Sequence, residues 1–231
     1  MSSGHHVILM GAQGAGKGTQ AERLAPALNL YHLSTGEAFR SAISAQTELG
    51  VLAKGYLDRG DLVPDDVTLG IVADKLEEIA SGAGPERKDG ALFDGFPRTP
   101  SQAEGLTDQL ENRGEHIAAV IEIAVPRDDL IERLSGRRIC PTCGTVYHVT
   151  FNPPKVAGIC DKDGTPLIQR EDDTPEAIAR RLNLYFEMTA PVLAYYRNLG
   201  LLETVDGRKS IDEVQADIRA IVEARMAATR K

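Results

Sequence analysis

No stretch of the 231 residues is apolar for long enough to span a membrane, and the residues before His6 carry neither the charged lead nor the apolar run of a secretory leader. A membrane or secreted protein is therefore not expected, and a cytoplasmic one is. Cysteine is scarce: three residues cannot close a disulfide framework without leaving one over. Positive charge is in deficit as well. With 26 Lys and Arg against 34 Asp and Glu, the net charge of −8 argues against a nucleic-acid-binding surface and leaves any basic patch a local role toward a small anion. Internal repeats and low-complexity segments are also missing. What remains is a chain with 42% hydrophobic residues, enough for one large domain with smaller inserts.

The most informative stretch is Gly-Ala-Gln-Gly-Ala-Gly-Lys-Gly-Thr-Gln at 11–20. It follows the short apolar run Val7 to Met10 and leads into a segment in which Ala21, Leu24 and Leu28 recur at helical spacing. A glycine-rich loop between a buried strand and a helix suits phosphate. Its glycines allow close backbone approach, the helix N-terminus offers unpaired N–H groups, and Lys17 adds a mobile positive charge. An ordinary glycine-rich turn is a poor explanation of four glycines and a lysine at this spacing.

Short apolar runs alternate with longer helical ones, the pattern of an α/β fold with a mostly parallel sheet. Strands are expected at His6 to Met10, Tyr31 to Ser34, Ala91 to Asp94, Ala118 to Val125 and Leu201 to Val205. A helix should start near Pro64-Asp65-Asp66 and end before the loop from Gly82 to Gly90, and Thr47 to Val63 suits a small helical element. Ser34-Thr35-Gly36-Glu37 opens another helix directly after a strand, with Arg40 one turn inside. This is either a plain capping box or a second anion site on the same sheet edge. Asp94 ends its strand on that edge too, where an acid can hold Mg²⁺ through water and Arg98 can fork onto phosphate; a helix cap from Pro100 is the plainer role for Asp94. A helix from Asp128 to Arg138 would set Arg133 and Arg137 on one face. With Arg170, Arg180 and Arg181 beyond the next insert, five arginines frame one segment like a clamp for a transferring phosphate.

Between Ile139 and Gln169 the helical periodicity stops. Cys140-Pro-Thr-Cys143-Gly and Cys160-Asp-Lys-Asp163-Gly form matched turns on either side of a hairpin-like segment from Val146 to Pro154. Cys140, Cys143, Cys160 and Asp163 suit a closed, structural Zn²⁺ site. The alternatives are a Cys-x-x-Cys redox pair, which leaves the second turn unexplained, His148 in place of Asp163, and a metal-free insert, for which about thirty residues supply little core.

Taken in order, the loop at 11–20, Leu-Ser-Thr-Gly-Glu at 33–37, Asp-Gly-Phe-Pro-Arg-Thr at 94–99, Gly-Arg-Arg at 136–138 and Met-Thr-Ala-Pro at 188–191 resemble the adenylate kinase family, in its long form with a zinc-bearing lid. The resemblance covers nearly the whole chain. It implies a five-stranded parallel P-loop sheet flanked by helices as the core (1–34, 64–138 and 171–231), a helical AMP-binding insert (35–63) and a small zinc-binding β lid (139–170). The implied reaction is reversible, Mg²⁺-dependent transfer of the terminal phosphoryl of ATP to AMP, giving two ADP. It further implies a monomer that serves adenine nucleotide balance without nucleic-acid or membrane partners.

The resemblance assigns Gly14, Ala15, Gly16, Lys17, Gly18, Thr19, Arg133, Arg137, Val146, Tyr147 and Lys209 to ATP. To AMP it assigns Thr35, Arg40, Asp61, Leu62, Val63, Gly95, Phe96, Pro97, Arg98, Gln102, Arg170 and Arg181. Lys17, Arg98, Arg133, Arg137, Arg170 and Arg181 are the implied catalytic cations, and Asp94 the water-mediated Mg²⁺ holder. Gly18 stands where the general phosphate-loop pattern has Ser or Thr, so direct hydroxyl ligation of Mg²⁺ is not expected. Asp163 stands where some relatives would have Cys. A kinase with UMP, CMP or GMP as acceptor, and a zinc-containing ATP sensor without turnover, are the competing readings.

Overall fold

The computed structural model describes residues 4–57, 62–81 and 88–229. Five strands, β1 (His5–Met10), β2 (Tyr31–Ser34), β3 (Ala91–Asp94), β4 (His116–Ala124) and β7 (Leu202–Asp206), form one parallel sheet in the order β2-β3-β1-β4-β7. β2 and β3 have the expected bounds, and the others differ by one or two residues at their ends. Register is tight at the carboxyl edge, where Leu9 and Ser34 each pair with Asp94.

The side-chain period of two divides the core into two layers. Val7, Leu9, Leu92, Ile121, Ile123 and Val205 face one way. They pack on α1 (Lys17–Ala27), α6 (Arg127–Ser135), α7 (Pro175–Leu184) and α9 (Ile211–Thr229), which supply Leu24, Leu130, Leu182 and Ile218. Ile8, Met10, Phe93 and Val120 face the other way, against α4 (Asp65–Ala80), α5 (Pro100–Asn112) and α8 (Ala190–Asn198), through Val72, Leu106 and Val192. With helices on both faces, ligands are left the edge beyond the carboxyl ends of the strands.

Two smaller clusters lie outside these layers. α2 (Thr35–Ser44) and α3 (Glu48–Leu57) meet α4 through Phe39, Ala53, Val63 and Ile71. Gly50 permits the close crossing of α2 and α3, because a Cβ there would lie 2.2 Å from the Ala42 carbonyl oxygen. The other cluster is Cys140, Tyr147 and Cys160, with Leu167 against it, below the two-stranded antiparallel sheet β5 (Arg137–Ile139) and β6 (Val146–His148).

One helix is shorter than its expected span of Asp128 to Arg138. α6 ends at Ser135 with Gly136 as its C-cap, so Arg137 lies on a strand and does not share a helix face with Arg133. The cause is local packing. The His148 ring lies where a Cβ at Gly136 would be, 2.3 Å from Nε2, and Arg137 pairs with His148 across the ladder. Among the described residues, no helix is long and apolar enough to cross a membrane.

Candidate functional site

The loop from Gly11 to Gly16 joins β1 to α1. Gly11 has a φ of 139°, and a Cβ there would come 2.7 Å from the Ile123 carbonyl oxygen. Gly16 caps α1 at a φ of 100°, and no side chain caps this end, which leaves the first N–H groups of the helix to an anion. Lys17 Nζ donates to the carbonyl oxygens of Gly11 (2.7 Å) and Ala12 (2.9 Å). Its pKa is pushed down from 10.5 to about 8. Burial is the main cause, Asp94 partly offsets it, and Arg98, Arg181 and Arg137 add to the lowering. A lysine that binds its proton so weakly gains from an arriving phosphate.

Beyond β3 the chain turns through Gly95 (φ 80°), Phe96 and Pro97, the last two joined by a cis peptide bond. The Gly95 carbonyl accepts from Arg98 Nε (2.7 Å) and Thr35 Oγ1 (3.2 Å), so one oxygen ties the start of α2 to this turn. Burial lowers the Arg98 pKa and Asp94 partly offsets that. Asp94 faces His32 Nε2 at 3.4 Å and lies beside the backbone of Gly18. Burial works against charge on His32, but the Asp94 hydrogen bond and charge outweigh it and raise the pKa. Asp94 is not the cap of α5; Thr99 is, accepting from the Gln102 N–H at 3.1 Å. A cavity of about 50 Å³ between the loop and this turn is lined by Gln13, Lys17, Arg98, Tyr185 and Thr189, among others.

Arg137, Arg170 and Arg181 converge on two adjacent acids. Arg137 holds Asp173 in a bidentate pair (2.8 and 2.6 Å), and the Asp173 side chain is wholly buried. Arg170 forks onto Asp172 (2.7 and 2.8 Å), and Arg181 reaches Asp172 at 2.9 Å and Asp173 at 3.4 Å. Burial alone would raise the Asp172 pKa, but Arg170, Arg181 and Arg137 hold it below the usual range. Three of the five arginines singled out in the sequence are thus brought together, on these two acids. Arg133 instead ties α6 to the Gly207 carbonyl (2.8 Å), and Arg180 is exposed.

The remaining expected residues divide by state. Lys209 is paired with Asp217 at 2.7 Å. Val146 is exposed, whereas the Tyr147 phenol is buried, accepting from the Asp161 N–H at 2.8 Å. Arg40 is exposed, Leu62 is half-buried and Val63 is buried, while Asp61 lies outside the described residues. The Gln102 amide is buried and fully engaged: Oε1 accepts from the Arg98 N–H (2.7 Å) and Nε2 donates to Asp65 (2.8 Å). Gly14, Ala15, Gly18 and Thr19 complete the loop and the first turn of α1.

In the lid, the ligand atoms of Cys140, Cys143, Cys160 and Asp163 lie within 4.8 Å of one another. Two turns with matching hydrogen bonds bring them there. Cys140 and Cys160 each accept from a glycine N–H four residues on, Gly144 and Gly164, whose φ angles are 73° and 72°. His148 belongs elsewhere, with Nδ1 accepting from the N–H groups of Thr150 and Phe151 and Nε2 beside the Glu132 carbonyl. Three thiols and a carboxylate at this separation fit a tetrahedral Zn²⁺.

The family model described as adenylate kinase matches residues 9–201. The chain belongs to the adenylate kinase family. Proteins named adenylate kinase from Staphylococcus epidermidis and Staphylococcus aureus are each 50% identical to it over 218 residues, which cover 94% of this chain and 99% of the relative. The family is one of ATP:AMP phosphotransferases.

Sequence reasoning missed Asp172, Asp173 and Tyr185, and it gave Thr189 no site role although its motif at 188–191 was noted. The two acids look like the solvated start of a helix, and Tyr185–Thr189 is a π-helical turn, in which one added residue breaks the 3.6-residue period.

Proposed function

We propose that this chain moves the terminal phosphoryl of Mg·ATP to AMP at the cavity between the phosphate loop and the Asp94–Arg98 turn. The observation that carries the reading is that Lys17 and Arg98, from the donor loop and the acceptor turn, line one small cavity. The ATP phosphates are assigned to residues 14–19, with Arg133, Val146, the Tyr147 backbone and Lys209 toward the nucleoside. AMP is assigned to Thr35, Arg40, residues 61–63, Gly95 to Arg98 and Gln102. The helical insert 35–63 serves the acceptor and the lid 139–170 the donor, around the core formed by the rest of the chain.

Phosphoryl transfer asks little covalent work of a protein, so catalysis is positioning and neutralisation of charge spread over the transferring group. Lys17 leaves its two carbonyls for the donor phosphates. Arg98 presents its guanidinium to the acceptor phosphate while Gly95 holds its Nε. Arg137, Arg170 and Arg181 arrive as a set, because Asp172 and Asp173 fix them relative to one another. Closure of the lid excludes water, which would otherwise accept the phosphoryl. Gln102 meets the acceptor base by exchanging its hold on Asp65 for the adenine edge, to which an amide offers a donor and an acceptor.

Asp94 is the residue assigned to Mg²⁺ through water, and the ion supplies neutralisation of the phosphate oxygens. Zn²⁺ held by Cys140, Cys143, Cys160 and Asp163 supplies stiffness to the lid and no chemistry, since four protein ligands close its coordination. A cytoplasmic monomer fits this reading. Its test is incubation of the protein with Mg·ATP and each nucleoside monophosphate separately, with the products resolved by chromatography. Rapid ADP formation with AMP alone is expected. Equal turnover with UMP, CMP or GMP, or ATP binding without turnover, would overturn it.

A further inference from the structure

Gln13 is the one uncharged polar side chain of the phosphate loop that faces the transfer cavity, and the assignments above give it no task. It lies between Ala12, whose carbonyl holds Lys17, and Gly14, whose φ is 86°. Its side chain lines the same cavity as Lys17 and Arg98. The Oε1 atom is buried and makes no hydrogen bond. Gln20 and Gln109 also bury an Oε1 without a partner, but their Nε2 groups donate to the Ile211 and Leu69 carbonyls, and Gln102 holds Asp65 and the Arg98 N–H. Among the described residues the Gln13 amide has no such anchor at either end. A buried carbonyl oxygen without a donor is unfavourable, and its retention beside two cations points to a partner that arrives with the ligand.

We propose that the Gln13 amide is a further catalytic group, one that contacts the transferring phosphoryl. Its Nε2–H donates to a non-bridging oxygen of that group, and Oε1 accepts from a water or guanidinium N–H brought in as the site fills. This rests on the reading of the cavity as the phosphoryl-transfer site. In the step, the bond from phosphorus to the leaving ADP oxygen breaks as that to an AMP phosphate oxygen forms. Gln13 transfers no proton and changes no electron count. An amide suits the place because it adds a donor without further charge, next to a lysine whose own proton is already weakly held.

The test compares wild type with Gln13→Ala and Gln13→Glu. Gln13→Ala removes the donor, and kcat should fall about tenfold, while the Kd of a non-hydrolysable ATP analogue stays within about threefold and the thermal midpoint holds. Gln13→Glu sets a carboxylate against the phosphoryl, and its kcat should fall further. Both variants keeping kcat within about twofold of wild type would overturn the proposal. Should either variant fail to fold, the wild-type side-chain amide signal is followed by NMR as Mg·ADP, AMP and fluoroaluminate are added together. A downfield shift of the Gln13 amide protons supports the contact, and an unmoved signal overturns it. Wild-type turnover of ATP with AMP tests the underlying reading separately: its absence overturns that reading, whereas turnover undiminished in both variants overturns only the role of Gln13.

Discussion

Two groups of cations serve the proposed transfer site, and they are held by opposite means. Lys17 and Arg98 rest on neutral carbonyl oxygens, those of Gly11, Ala12 and Gly95. Arg137, Arg170 and Arg181 rest on carboxylates, Asp172 and the buried Asp173. A carbonyl offers weak compensation for a desolvated charge, so the first group is left unsatisfied in a way that phosphate relieves. A carboxylate compensates more and fixes geometry, so the second group is ordered before ligand arrives, although burial still outweighs the two acids at Arg181 and lowers its pKa. The first group stores affinity and the second stores position. Loss of a carbonyl-held cation should therefore remove activity and spare the fold, and disruption of the carboxylate-held set should harm both.

Arg98→Ala breaks the first group and should lower kcat on the order of 10²–10³-fold with the thermal midpoint nearly unchanged, as steady-state kinetics and calorimetry on one preparation would show. Asp173→Ala breaks the second. It leaves Arg137 desolvated without its partner, so stability should fall by about 3–5 kcal/mol in urea titration and kcat should fall with it. An activity loss without a stability loss there would erase the contrast. Cys143→Ser acts on the lid alone and should lower the melting temperature, roughly 5 °C or more, with a smaller effect on chemistry. Turnover abolished at unchanged stability would make the metal catalytic.

The smallest effect sharpens the comparison through pH. Lys17 binds its proton with a pKa of about 8 in the folded protein and 10.5 in the unfolded chain. Between these values the unfolded chain carries the extra proton, so this group's contribution makes stability rise with pH across that window; below pH 8 both states are protonated and the full cost of burying the charge remains. Catalysis runs the other way. In the free enzyme kcat/KM for ATP should decline above pH 8, about tenfold per pH unit at the limit, whereas kcat should hold to higher pH because bound phosphate restores the proton. A kcat/KM profile flat from pH 7 to 10 would show that Lys17 is not the titrating group.

The parts of the site legible in the sequence were those that local chemistry dictates. Glycines at fixed offsets around Lys17, an acid at the end of a strand, and two Cys turns each followed by glycine have few other uses, and the structure has all three where they were expected. The parts that were not legible depend on tertiary contact. Arg133 and Arg137 share helical spacing, yet the His148 ring against Gly136 ends the helix between them. Asp173 looks like a solvated acid until Arg137 from β5 and Arg181 from α7 meet it. Gln102 is assigned to AMP by resemblance alone, and only the fold shows its amide engaged with Asp65 and the Arg98 N–H.

The most direct measurement of the central claim is single-turnover phosphoryl transfer and thermal unfolding on the same preparation of Lys17→Met. If carbonyl-held charge stores affinity at the cost of stability, transfer should fall about 10³-fold or more while the midpoint stays the same or rises, because the methionine no longer buries a charge. Transfer within about tenfold of wild type, or a midpoint several degrees lower, would contradict it.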